Sequence, residues 1–258
     1  MFREGNTNIF SVKPIERLMD AQARILKLAG HKKIHVGIIG GGPSAAEIAG
    51  NVWRLTRGHD ENAPVIRIFS GEKFMSRFSN AIRKKVAASL KQRGIDILEH
   101  SYVKDIRAGR ISLENGQYYD ADIIFLAVGV KPSDIFTKSR LPTGPDGGLL
   151  VNQYLQSTVY PEIFGGGDCI YFQDQPLDKV GVYAVRQNMI LYQNLMASME
   201  GTPLKSFDPG GDYLLIFNMG DGTGVLGKKG IVFGGKLAFK IKDYIDRRFM
   251  NRFQKIEP

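Results

Sequence analysis

The segment IHVGIIGGGPSAAEIAG, residues 34–50, constrains the fold more than any other part of the chain. Its first half is an almost unbroken apolar run, as expected of a central strand in a parallel sheet covered on both faces. Its second half, continuing through Leu55, reads as a helix, with Pro43 in the first turn where a missing N–H costs nothing. Between the two, Gly40, Gly42 and Ala45 make the pattern G-x-G-x-x-A. Gly40 permits a sharp turn, Gly42 removes a side chain where a phosphate could approach the backbone, and Ala45 lets the helix lie close against the strand. The turn Gly40-Gly41-Gly42-Pro43-Ser44-Ala45 then offers a diphosphate free N–H groups and the positive end of a helix dipole. A strand, turn and helix of this kind need neighbouring strands and helices on both faces, so the chain is expected to be an α/β protein.

The surroundings agree. Residues 13–29 have helical spacing, with Ile15, Leu18, Met19, Ile25, Leu26 and Ala29 on one stripe and Gly30 as the stop. A second strand, Val65–Ser70, arrives about 25 residues after the glycine turn, where a dinucleotide fold needs it. SNAIRKKVAASLKQR reads as a helix closed by Gly94, IDILEHSYVKDIRA as strand, RISLENGQYY as a hairpin turned at Asn115-Gly116, and Asp122–Gly129 as another buried strand. That completes a mononucleotide-type unit near Gly129. After Val130-Lys131-Pro132 come loops rich in Gly and Pro, a strand at Glu162–Asp168, a helix from about Val182 to Ser198, strands over 213–233 and a helical tail. Two other glycine clusters fail the same test. GGGD at 165–168 has no Gly or Ala in the third motif position, and GDGTG at 220–224 opens no helix.

A tight strand-to-helix turn without a ligand is the plain alternative, but the ordered strands and helix around it favour a pyridine dinucleotide. Sites selective for NAD carry Asp or Glu at the end of the second strand. Here Ser70 stands at that end and Glu72 follows two residues late. Arg77, a little beyond, reads either as a contact for a 2′-phosphate or as a solvated surface arginine. The reading favours NADH and leaves NADPH open.

The 258 residues, 43% hydrophobic and 24% charged, suffice for two modest domains. No apolar run approaches the roughly 18 to 20 residues of a membrane-spanning helix, and MFREGNTNIF lacks the core of a signal peptide, so a cytoplasmic location is expected. Cys169 is the chain's one cysteine, which argues against a disulfide framework and against a CxxC or CxxxxC redox pair. The net charge of +9 admits nucleic acid, anionic lipid or dinucleotide phosphates as partners. With no RNA-binding, zinc-finger or helix-turn-helix pattern, nucleic acid is set aside. In the tail from Leu237 to Phe253, Ile241, Ile245, Phe249 and Phe253 share helical spacing among Lys240, Arg247, Arg248 and Arg252. Such a helix either packs its stripe on its own domain or lies on an anionic membrane surface.

Five segments together resemble one family: IIGGGPSAAEIAG (38–50), FLAVGVKPSDIF (125–136), EIFGGGDCIYF (162–172), VGVYAVRQNMILYQNL (180–195) and KDYIDRRFMNRF (242–253). In this order they resemble the FAD-dependent pyridine nucleotide oxidoreductases of the type II NADH dehydrogenase kind, in the branch associated with selenide, water dikinase. The resemblance implies an α/β, Rossmann-like FAD/NAD(P)-binding two-domain fold with an incomplete FAD domain, since the family's N-terminal glycine-rich FAD motif has no counterpart here. By resemblance, residues 1–30 are a helical lead-in left from the FAD domain, 31–129 the NAD(P) domain, 130–206 the second FAD half, and 207–258 the C-terminal strands and basic amphipathic helix.

The same resemblance assigns site residues. Ala127-Val128-Gly129 becomes the point where the chain leaves the NAD(P) domain, and Glu47 lies near the nicotinamide, with a plain helix glutamate as the alternative. Asp168, after Gly167, accepts from a flavin ribityl hydroxyl, the alternative being a turn cap. Ala184, Val185 and Gln187 open a helix facing the flavin pyrimidine edge, with Gln187 either bordering a quinone pocket or an exposed helix residue. The activity implied is hydride transfer from NADH to FAD and on to a quinone or similar small acceptor, which needs no general base; none is assigned, and no metal. The other expected partners are the inner face of a membrane, met peripherally, and a second copy of the chain. The alternative is an NAD-binding fragment that does not hold flavin by itself.

Overall fold

A computed structural model describes residues 8–58, 62–107, 109–228 and 230–254, with the side chains of 252–254 outside the description. In chain order the elements are β1 (Ile9–Ser11), α1 (Glu16–Ala29), β2 (His35–Ile39), α2 (Pro43–Leu55), β3 (Val65–Phe69), α3 (Asn80–Lys91), β4 (Asp96–Leu98), β5 (Val103–Arg107), β6 (Arg110–Leu113), β7 (Tyr118–Asp120) and β8 (Ile123–Leu126). They continue with α4 (Ile135–Lys138), β9 (Leu149–Val151), β10 (Ile170–Phe172), α5 (Gly181–Glu200), β11 (Leu215–Asn218), β12 (Gly224–Lys228), β13 (Ile231–Gly235) and α6 (Lys236–Gln254). The chain forms two compact units: one runs to Gly129 and resumes at Leu214, the other is Val130–Tyr213.

In the first unit a parallel sheet has the order β1-β8-β2-β3-β4. β2 and β8 are its central strands, and Val36, Ile38, Ile123 and Phe125 are buried in the main core. β1 pairs in parallel with β8, Ile9 opposite Ile124. The segment expected to be a remnant of another domain is therefore an edge of this sheet. α1 buries Ala21, Ile25 and Ala29, spaced by four, so the small residues turn inward. Ile15 and Met19, placed on the inward stripe by spacing alone, are each 72% exposed. Alanines let the helix axis approach the sheet closely, and a broader stripe cannot all face it.

The stretch read as one strand after Gly94 is two. β4 ends the parallel sheet, the chain reverses through His100 at φ 53, and β5 joins β6 and β7 in an antiparallel meander. Its hairpin turns at Asn115-Gly116 as expected, with Gly116 at φ 87 and the Asn115 side chain accepting from Gln117 N–H. Ile111 and Leu113 of this meander pack on Ile39, Phe69 and Ile124. Gly37 permits the approach, because a Cβ there would stand 2.3 Å from Ile111 Cδ1.

The second unit has its own small core of Leu149, Val151, Leu155, Ile170, Phe172 and Phe207 beneath the parallel pair β9–β10. Buried Asn194 of α5 donates to Tyr154 O and Lys205 O and accepts from Lys205 N–H, each at 2.8 Å. Phe207 lies in this core, and Arg186 donates to Gly211 O, so the division expected after residue 206 falls after Tyr213 instead. The strand expected at Glu162–Asp168 does not form. That segment makes a single bridge, Phe164 to Gln156, Gly167–Cys169 is a turn of 3-10 helix, and strand begins only at Ile170. A strand needs a partner along its length, and beside residues 162–166 this unit offers none beyond that bridge.

From Leu214 onward the chain rejoins the first unit as the antiparallel sheet β11-β12-β13 followed by α6. The β11–β12 turn meets α2 backbone to backbone: a Cβ on Gly50 would be 2.2 Å from Met219 O, and one on Gly220 would be 2.1 Å from Gly50 O. Arg93, its side chain 7% exposed, spans the junction. It donates to Met219 O, to Ser89 O at 2.9 Å and to Ser89 Oγ at 3.1 Å. Its guanidinium also lies 5.2 Å from the centroid of the Trp53 ring. Arg93→Met leaves Met219 O without its donor, so the urea midpoint is expected to fall by the equivalent of about 2 kcal/mol. Trp53, the chain's one tryptophan, should report the transition by a changed native emission. A loss below about 0.5 kcal/mol, the size of an ordinary surface change, contradicts the bridging role.

Candidate functional site

The glycine turn sits at the C-terminal ends of β2, β3 and β8, where parallel α/β sheets bind ligands. Gly40 has φ 130, and its N–H donates to Phe69 O at 2.9 Å. A Cβ on Gly40 would stand 2.2 Å from Ala127 O, and one on Gly41 would stand 2.0 Å from Ser70 Oγ. Both glycines are therefore required by the fold. Gly42 differs. It is the N-cap of α2 at φ −95 and ψ −173, a conformation open to any residue, and a Cβ there would meet nothing within 4 Å. Neither backbone nor packing among the described residues demands a glycine at 42.

The helix start is uncapped in the chemical sense. Gly42 has no side chain to accept from the first-turn N–H groups, Pro43 occupies the first turn, and that turn contains no acid. Ala45, Ala46 and Ala49 are buried, which draws α2 onto the sheet, while Ser44 is exposed at the mouth. An anion placed there gains roughly 0.3 to 1 kcal/mol from the dipole, in addition to the amide hydrogen bonds. Ala127 is buried and donates to Ile39 O at 2.8 Å, Val128 is exposed, and Gly129 turns with φ 93. This brings the end of β8 beside the glycine turn.

At the end of β3, Ser70 is only 2% exposed. Its N–H donates to Leu98 O and its carbonyl accepts from Ser101 N–H. Glu72 is exposed. The loop that follows is pinned by groups that spacing along the chain does not reveal. Phe74 N–H donates to Glu99 Oε1 at 2.7 Å, and Met75 N–H donates to Gly41 O at 2.7 Å. Met75 is buried at φ 56, and the Tyr102 ring lies against Gly71. Glu99 and Gly41 stand 25 and 34 residues from their partners, so these clamps exist only once the strands are side by side.

Glu47, on the second turn of α2, accepts from Asn218 N–H at 2.8 Å and so faces β11. With Ser44, Leu18, Ile25, Phe125 and Lys242 it lines a cavity of about 740 Å³. Burial raises its pKa above the ordinary 4.5, while the Asn218 amide and Lys242 pull the other way and Asp246 adds to the rise. A carboxyl whose folded pKa is raised keeps a proton that the unfolded chain releases. Its favourable share of stability is thus complete below the ordinary value and is lost as pH rises through the raised one. Glu47→Gln retains an acceptor for Asn218 and removes the buried charge. Urea midpoints are expected to favour the glutamine variant at neutral pH, with the gap closing as pH falls toward 4.5. A variant less stable than the wild type at neutral pH contradicts this account.

In the second unit, Gln187 is 1% exposed and its Oε1 accepts from Gly167 N–H at 2.5 Å. It is therefore not an exposed helix residue: its amide oxygen holds the turn that carries Asp168, and with Gly167, Asp168 and Tyr183 it lines a small pocket. Ala184, one turn earlier on α5, packs 3.6 Å from where a Gly167 Cβ would be, so it shares that inner face, whereas Val185 is exposed. Cys169 Sγ donates to Gly166 O at 3.1 Å. Among the described residues no group of His, Cys, Asp and Glu could hold a metal, and no helix is long and apolar enough to cross a membrane.

The sequence model of the family described as "Pyridine nucleotide-disulphide oxidoreductase" matches residues 6–196. The chain is 27% identical to the FAD-dependent oxidoreductase FVFD30 of Flammulina velutipes, over 81% of this chain and 65% of that protein. It is 24% identical to the type II NADH:quinone oxidoreductase of Haemophilus influenzae, over 82% of this chain and 52% of that one. The crystal structure of the ferredoxin reductase for the CYP199A2 system from Rhodopseudomonas palustris superposes with TM-score 0.65 at 20% identity, covering 84% of this chain and 51% of the other, a likeness of fold. The chain thus spans about half to two thirds of the length of the relatives it matches.

Proposed function

The chain belongs to the pyridine nucleotide-disulphide oxidoreductase family, and from that premise we propose that it acts in a flavin-dependent oxidoreductase that takes hydride from NAD(P)H and delivers electrons to a quinone. The bare helix start at Gly42 carries this reading, because nothing in the fold requires a glycine there and a diphosphate does. The amides of Gly42 and Ser44, with Pro43 contributing none, hold the diphosphate, and Gly41 and Ser70 support the turn from below. The cavity lined by Ser44 and Glu47 takes the nicotinamide end.

FAD, when bound, supplies the two-electron acceptor for the nicotinamide hydride. Asp168 and the first turn of α5, with Ala184 and Val185, are the residues of this chain that would hold it. Gln187 acts indirectly, by fixing Gly167 and so presenting Asp168. The quinone is suggested by the likeness to the type II NADH:quinone oxidoreductase of Haemophilus influenzae. The tail adds support, because Leu237, Tyr244, Ile245 and Met250 of α6 are exposed near Lys240, Arg247 and Arg248. A basic helix with an exposed apolar set suits peripheral contact with an anionic membrane, where quinones dissolve. On the expected stripe Ile241 is half-buried and Ile245 and Phe249 are partly exposed, while Phe253 lies outside the described side chains.

A second reading, dinucleotide binding without flavin, is favoured by the second unit's two-stranded sheet. The two are separated by colour. Protein mixed with FAD and freed of excess should be yellow, bleach when NADH or NADPH is added without oxygen, and regain colour with a short-chain quinone. Colourless protein that still binds the nicotinamide coenzyme establishes the second reading. Failure to bind either coenzyme ends both.

A further inference from the structure

We infer that the dinucleotide site accepts a 2′-phosphorylated coenzyme, with Lys73 and Arg77 holding the extra phosphate. The inference rests on the dinucleotide reading above and adds the identity of the coenzyme. It starts from the end of β3, where a carboxylate would bind the ribose hydroxyls of NADH and repel a 2′-phosphate. Ser70 stands there, buried beneath Gly41 and without charge. The repelling group is missing from the one position where it discriminates best.

The loop after Ser70 supplies the opposite charge in a fixed place. Its centre, Met75, is tied to the glycine turn itself through Gly41 O, and Phe74 is tied to Glu99. Both side chains are buried, and Met75 is held at φ 56, which bulky residues rarely adopt. A loop anchored this firmly does not wander. Lys73 and Arg77 sit two residues to either side of Met75, so their Cα atoms lie within about 7 Å of it. Both are exposed, and among the described residues neither enters an ion pair.

The nearby carboxylates do not cancel them. Glu99 Oε1 is committed to the Phe74 amide. Glu72 is exposed, past the strand end, and is outnumbered by the two cations around it. A 2′-phosphate carries close to two negative charges at neutral pH, and a guanidinium fork meets two of its oxygens at once.

Titration calorimetry of the whole chain with NADPH, NADH, 2′,5′-ADP and 5′-AMP tests this directly. NADPH should bind at least as tightly as NADH, and 2′,5′-ADP about tenfold more tightly than 5′-AMP. The double variant Lys73→Gln with Arg77→Gln should lose about tenfold or more in NADPH affinity while NADH changes less than about twofold. An unchanged urea midpoint would show that the folded chain is being compared. Preference for NADH by about tenfold, or an equal loss for both coenzymes in the variant, overturns the inference and leaves the dinucleotide site standing. No binding of any of the four overturns the dinucleotide reading itself.

Discussion

The first unit is organised around one close approach, the backbone of Gly40 against the carbonyl of Ala127. At φ 130, and with a Cβ that would stand 2.2 Å from that oxygen, Gly40 can carry no side chain. This contact brings the ends of β2 and β8 together and sets the direction in which α2 departs. Gly41 repeats the device on the other side, where its missing Cβ makes room for Ser70 at the end of β3. Three strand ends thus converge on two residues, and no side chain caps the helix start that follows. Any change that moved Gly40 off Ala127 would turn the helix dipole away from the place where charge can be received.

The C-terminal segment depends on the same helix from its other side. Gly50 lets the turn after β11 press against the backbone of α2, and Arg93 fastens that turn to α3. Glu47 then closes the junction by accepting from Asn218, at the cost of burying a carboxyl. α2 therefore serves two partners: its first turn is kept free, and its later turns are fully engaged. The raised pKa of Glu47 is the electrostatic consequence of placing an acid on the engaged part.

Much of the first unit could be read from the sequence because its signals are local. The apolar runs of β2 and β8, the alanines of α2 and the Asn115-Gly116 turn each announce themselves within a few residues. The misreadings have physical reasons of the opposite kind. Residues 9–11 form a strand only because β8 lies alongside, and residues 162–168 fail to form one because no strand does. The inward stripe of α1 was read with Ile15 and Met19 beside Ile25 and Ala29, whereas close packing turned Ala21 inward with Ile25 and Ala29 and left Ile15 and Met19 exposed. Around the site, Gly40 to Ala45 and Ser70 were legible from spacing. The clamps made by Glu99 and Met75, the bridge of Arg93 and the inward amide of Gln187 were not, since each joins segments far apart in sequence and carries no local pattern.

The central claim is that the glycine at 42 serves a ligand rather than the fold, and a single substitution separates the two. Gly42→Val places a branched side chain in a conformation it adopts readily, pointing into open space. Calorimetry with NADPH and NADH, beside urea unfolding of the same sample, gives both quantities. Expected is a stability within about 1 kcal/mol of wild type together with loss of affinity for both coenzymes by about a hundredfold or more. Coenzyme affinity unchanged in a folded Gly42→Val protein would contradict the claim.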